Sequence, residues 1–185
     1  YPYVGSIKFE PVLMKDLFDK PKVKMIEKDN ESDLIEAELL DKEWYILDSF
    51  YGTGEEKALI RTIKDTIMNL QEKYEKVYLL RNEEMYKIYD FDEGRGFEPD
   101  FILILFDKEE KSMCYQIFIE PKGSHLLDKD RWKNKFLSDI NEKYQGKILC
   151  NVNDKYKIIG LPLYNNENNS TFMEVYNNII NKKKS

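Results

Sequence analysis

A chain of 185 residues that is 42% hydrophobic and 14% aromatic can bury one good core, which excludes a disordered tail and predicts a compact domain with an N-terminal annex. No apolar run approaches the roughly 18 residues of a membrane span, and the opening Tyr1-Pro2-Tyr3-Val4 lacks the basic start and apolar stretch of a secretory signal, so a cytoplasmic protein with no membrane partner is expected. A single histidine and two cysteines exclude a Cys/His zinc site and a disulfide framework, and a net charge of -6 weighs against a domain that grips nucleic acid unaided, because Lys and Arg supply most nonspecific affinity.

Residues 1–48 read as short strands and turns. Ser6 to Met14 partly alternates, Lys20-Pro21 interrupts it, Asp29 to Asp33 is a polar loop, and Glu43 to Phe50 suggests one more strand. This stretch carries no catalytic constellation and is expected to be a β-rich annex or a linker to an upstream domain; residues 49–185 form the main domain. Leu59, Ile60, Ile63, Ile67, Leu70 and Tyr74 then recur at helical spacing and predict an amphipathic helix over 55–75. Val77 to Leu80 and Tyr86 to Phe91 read as strands separated by the polar Arg81 to Glu84. The nearly continuous apolar runs Phe101 to Phe106 and Met113 to Ile119, joined by charged residues, predict a central hairpin buried on both faces. A second helix is expected over about 128–143, with Asp128 as its N-cap and Trp132, Phe136, Leu137 and Ile140 inward. Lys147 to Val152 and Lys157 to Leu163 read as strands, and Ser170 to Ile180 as a closing helix. The order gives an α/β fold, a mixed central sheet flanked by helices.

The chemistry gathers around Pro99-Asp100 and Glu120-Pro121-Lys122-Gly123. Alternation along a strand puts Glu120 and Lys122 on one face, and a hairpin partner brings Asp100 beside them. Two carboxylates and an ammonium at one sheet end suit phosphodiester hydrolysis: the carboxylates hold Mg²⁺, for which Mn²⁺ substitutes, and the lysine faces the attacking water or the phosphate charge. The same residues also suit an ordinary strand-end ion pair. Glu56 precedes Leu59, Ile60, Ile63 and Ile67 by three, four, seven and eleven positions and so lies on the inward helix face, as a further metal contact or one acting through water; Thr53-Gly54-Glu55-Glu56 is equally a capping box. His125, Arg95 and Lys129 are candidate contacts to a nucleic-acid backbone, with Arg131, Lys133 and Lys135 on the same helix, although charged helical faces are usually solvated. No Walker-type Gly-Lys-Ser/Thr loop occurs, so ATP is not expected to bind here.

Taken in order, Tyr51-Gly52-Thr53-x-Glu55-Glu56-Lys57, Leu80-Arg81-Asn82-Glu83, Gly96-Phe97-x-Pro99-Asp100-Phe101 and Ile119-Glu120-Pro121-Lys122-Gly123-Ser124-His125 resemble the C-terminal endonuclease domain of type III restriction enzyme Res subunits, in the PD-(D/E)XK nuclease superfamily. The resemblance covers about residues 49–145. It implies a restriction-endonuclease-like core in which Asp100 and Glu120 ligate metal, Lys122 is the catalytic lysine and Glu56 matches an acidic helix position. It also implies DNA as substrate, a helicase-like motor that uses ATP and is absent from this chain, and a methyltransferase (Mod-type) subunit. On that reading the chain is expected to be a fragment of a larger restriction protein. Rival expectations are a noncatalytic interaction module of the same fold and a nuclease acting on RNA or branched DNA.

Overall fold

The computed structural model describes residues 53–82, 87–90, 93–109, 113–143 and 157–181. The expected annex and the strand expected over 147–152 lie outside them. Helix α1 (Gly54–Lys73) starts at Thr53, whose extended backbone turns its hydroxyl to accept the Glu56 N–H at 3.3 Å. The cap satisfies one of the free amides of the first turn, and Glu55 and Glu56 add negative charge at the positive end of the helix dipole. Leu59, Ile60, Ile63, Ile67 and Leu70 are all buried, as their spacing requires.

Strands β1 (Lys76–Arg81), β4 (Phe101–Phe106), β5 (Met113–Ile119) and β6 (Lys157–Gly160) form a sheet in the order β1-β4-β5-β6. The first two neighbours pair antiparallel and β5-β6 pairs parallel, so the sheet is mixed. The central hairpin falls where the apolar runs predict. Its side chains sort by parity: Phe101, Leu103, Leu105, Ile117 and Ile119 meet α1 and the last helix, α3 (Ser170–Asn181), whereas Ile102, Ile104 and Phe118 meet α2 (Arg131–Lys143). Helices therefore cover both faces, which explains why β4 is continuously apolar rather than alternating.

Three sequence expectations are corrected. Of the strand expected over 86–91, the described residues 87–90 hold only β2 (Ile88–Tyr89), which pairs with β3 (Gly96–Phe97) in a separate ribbon rather than with β1. The strand expected over 157–163 stops at Gly160, and its direction is resumed only by a parallel bridge between Pro121 and Tyr164. Asp128 is not the cap of α2. The chain after Gly123 first makes a single 3-10 turn (Ser124–Leu126), and α2 starts at Arg131.

Helix α2 sits unusually close to β6. A Cβ on Gly160 would lie 2.3 Å from the Leu137 carbonyl oxygen, so glycine is what permits the approach. Asn141 brackets that glycine, its amide donating to the Gly160 carbonyl at 2.6 Å and its oxygen accepting the Gly160 N–H at 3.0 Å. Two turns earlier, the Asn134 oxygen accepts the Leu163 N–H at 3.0 Å. The helix thus satisfies backbone groups of β6 and the residues after it, at the edge of the sheet that the described residues form. On the other face, the Lys73 ammonium donates to the Ile179 and Ile180 carbonyls at 3.1 and 2.9 Å, tying the end of α1 to the C-terminal end of α3.

Candidate active site

The register of the sheet assembles the site. Phe101 pairs with Ile119 and with Arg81, so the residues just beyond these positions, Asp100, Glu120 and the end of β1, meet at one sheet end. The pairing carries on past the strands. Asn82 N–H donates to the Asp100 carbonyl at 2.8 Å, Tyr164 N–H to the Glu120 carbonyl at 2.9 Å, and Lys122 N–H to the Tyr164 carbonyl at 2.8 Å. Pro121 lacks an amide but loses nothing on this side, because a parallel bridge draws its bonds from the neighbours of the bridged residue. Asn165, almost fully buried, fixes the next residues: its amide donates to the Lys122 carbonyl at 2.7 Å and reaches the Ser124 hydroxyl at 3.2 Å. Glu55 braces the same loop by accepting the Asn166 N–H at 2.7 Å.

Glu120 is the hub. Only 1% of it is exposed, and both carboxylate oxygens are engaged. Oε2 accepts the Asp100 N–H at 3.0 Å, while Oε1 lies 2.9 Å from both the Lys122 and the Lys133 ammonium. Asp130 stands behind the two lysines, 3.3 Å from Lys122 and 3.7 Å from Lys133. On the α1 side, Arg81 reaches the Glu56 carboxylate at 3.2 Å. Glu56 therefore turns its carboxylate inward to the sheet end, although Oε2 is buried and has no hydrogen-bond partner beyond that ion pair.

Four acids and three cations thus share a partly buried space, and the excess of acid is felt most at Asp100. Burial, then the charges of Glu120 and Glu56, push its carboxyl up to about 7 against the pull of Lys122 and Lys133. Lys122 responds in the opposite sense. Burial works against its ammonium, but Glu120, Asp100 and Asp130 outweigh that and hold it above the usual lysine range. It is a fixed positive charge at neutral pH, suited to stabilising an anion and not to taking a proton.

The donor set fits a hard divalent cation. Asp100 and Glu120 are adjacent carboxylates whose mutual repulsion a cation would relieve, and the buried Glu56 Oε2 atom has only its ion pair with Arg81 at 3.2 Å. Among the described residues no three or more His, Cys, Asp or Glu side chains are gathered as a ready-made cage. Mg²⁺ does not need one, since one or two carboxylates with water and substrate phosphate commonly complete its shell.

Of the candidate contacts to a nucleic-acid backbone, Lys133 stands in this cluster, while His125, Lys129 and Arg95 fall outside it. His125 is exposed in the turn after Gly123, its ring lying against that glycine, and Lys129 is exposed in the approach to α2. Arg95 is engaged at its own ribbon, 2.7 Å from Asp90 and 3.3 Å from Glu93, with its guanidinium 4.4 Å above the Trp132 ring. Burial alone would raise the Asp90 carboxyl, but Arg95 and the Glu93 and Arg95 amides hold it below the ordinary range. Arg81 and Asp130 are site residues with no role among the sequence expectations, and Lys133, expected only as a contact to a nucleic-acid backbone, is paired with Glu120 instead. For Lys133 a signal existed: it precedes Phe136, Leu137 and Ile140 by three, four and seven positions, which puts it on the buried stripe of α2.

No helix among the described residues is long and apolar enough to cross a membrane. The chain is similar to an uncharacterized protein of Haemophilus influenzae, 42% identical over 177 residues that cover 91% of this chain and 38% of that protein, so the chain spans well under half the length of this relative. No solved structure matches it. Residues 2–182 match the family HI_1054_C, described as a C-terminal domain, and the chain belongs to that family.

Proposed function

We propose that the chain is a Mg²⁺-dependent endonuclease domain with a restriction-endonuclease-like core, hydrolysing DNA phosphodiesters in the cytoplasm as part of a larger protein similar to a type III restriction Res subunit. The observation that carries this reading is the convergence of Asp100, Glu120 and Lys122 at one sheet end, with Lys122 2.9 Å from Glu120 and the Asp100 N–H on its other oxygen. Asp100 and Glu120 would hold the cation, with Glu56 at its margin, and Mn²⁺ would substitute. When bound, it supplies charge neutralisation at the phosphate and acidifies the attacking water. The chain's own residues do the rest. Asp100 must lose its proton to act as a ligand, Lys122 presents an ammonium to the charge developing on the phosphate, and Arg81 keeps Glu56 turned inward. The motor that uses ATP and the Mod-type methyltransferase that reads the sequence belong to the same proposal.

A noncatalytic docking module has one specific observation in its favour: two ammoniums already compensate Glu120. Nicking of supercoiled plasmid with Mg²⁺ or Mn²⁺ separates the two. The proposal expects cleavage by the wild type and a loss of at least about 100-fold in Glu120→Ala and Lys122→Ala, the scale of removing one electrostatic contact to a reacting centre. Equal cleavage by all three proteins would reject the assignment.

A further inference from the structure

One cation in the site has no part in the reaction just described. Lys133 comes from α2, not from the hairpin, yet its ammonium lies 2.9 Å from the same Glu120 oxygen that Lys122 contacts. The two lysines are held differently. Lys122 is fixed through its backbone, with its N–H on Tyr164 and its carbonyl on Asn165. Lys133 hangs from the first turn of α2, its N–H on the Asp130 carbonyl at 2.9 Å, and two other resting places adjoin its ammonium: the Asp130 carboxylate at 3.7 Å and the face of the Phe97 ring, 5.2 Å from the ammonium to the ring centre. A shift of its ammonium off Glu120 therefore costs little, because a carboxylate and a π face remain to receive it.

We infer that Lys133 is the built-in counter-cation of Glu120, compensating a carboxylate that is 1% exposed until a divalent cation displaces it; this rests on the metal-dependent reading above. A buried carboxylate is costly unless compensated, and Lys133 adds a second ammonium to the one that Lys122 already places on Glu120 Oε1. The consequence is competition. An ammonium on Glu120 Oε1 and a divalent cation on the same carboxylate repel each other, so Lys133 sets the cation affinity of the site from a different element.

The test is Mn²⁺ binding by the purified chain, followed by calorimetry and by the spin-resonance signal of free Mn²⁺, without DNA. Lys133→Met is expected to bind Mn²⁺ about tenfold more tightly than the wild type, Lys133→Arg to bind as the wild type does, and Glu120→Gln to bind more weakly than either. Thermal melts establish that each variant is folded, and Lys133→Gln, which retains a donor but no charge, repeats the measurement should the Met variant not fold. Unchanged or weaker binding by a folded charge-removed variant, beside a wild type that binds, overturns the role of Lys133 and leaves the nuclease reading standing. Absence of Mn²⁺ binding in both wild type and Lys133→Met at millimolar concentrations sinks the metal-dependent reading and this inference together.

Discussion

Asp100 is the residue at which the competing demands on the site meet. Its carboxyl is raised from 3.8 to about 7, first by burial and then by Glu120 and Glu56. Between those two values the folded chain holds a proton there that the unfolded chain has released. The metal-free protein therefore loses stability from this group as pH rises through that window, and none of the loss is recovered above it. Asp100→Asn, which keeps the shape without the charge, is expected to raise the melting temperature at pH 8 by about 2–4 °C, the equivalent of about 1 kcal/mol in a domain of this size, and to change it little at pH 4. Melting curves of the two proteins at both pH values check this, and an equal shift at both would refute it. Binding a cation runs the linkage the other way, since it must release the Asp100 proton, so divalent affinity should climb as pH rises toward 7 and beyond. The meeting of Asp100, Glu120 and Lys122 at one sheet end was legible in the sequence because parity and hairpin pairing are local rules. Arg81 and Asp130 were not: their partners come from α1 and the hairpin, and only the closed sheet puts them within reach.

At the scale of elements, the approach of α2 to β6 determines whether Lys133 and Asp130 stand over Glu120 at all. Leu137 backbone rests on Gly160, with Asn134 and Asn141 bonding Leu163 and Gly160 on either side. Gly160→Ala places a methyl 2.3 Å from a carbonyl oxygen and 2.7 Å from the Leu137 Cα, both backbone atoms that cannot rotate away. The helix must lift, which we expect to destabilise the chain by roughly 2 kcal/mol. Urea unfolding measures this, and a cost below about 0.5 kcal/mol would show that the contact yields freely. This docking was invisible in the sequence, where Gly160 falls inside the strand expected over 157–163 and neither asparagine carries a signal. The helices α1 and α3 and the central hairpin were legible because each carries an unbroken apolar pattern of one period. The short ribbon β2-β3 was not, because two-residue pairing leaves too little periodicity to read, and Asp128 falls short of the cap position because the 3-10 turn after Gly123 delays α2 to Arg131.

For the molecule as a whole, the charge balance limits what the chain does alone. It carries 35 acidic and 29 basic residues, and the three cations of the site, Arg81, Lys122 and Lys133, are each ion-paired with a carboxylate. Few positive charges are left there to release counterions from a DNA backbone, so the unaided affinity should be low. The slope of log affinity against log salt should be no steeper than about -3, the value for some three phosphates neutralised. The chain also spans only 38% of the length of its Haemophilus influenzae relative. Under the proposed function, weak binding and not weak chemistry limits cleavage. Fusing the chain through a flexible linker to an unrelated sequence-specific DNA-binding domain should then raise cleavage near that domain's site by about 100-fold at equal protein concentration, because tethering supplies effective concentration without any new contact at the reacting centre. Cleavage by the fusion must disappear with Glu120→Ala. A fusion that binds its site tightly and cuts no faster than the free chain would place the limit in the site itself, where the carboxylates are already compensated by the protein's own lysines.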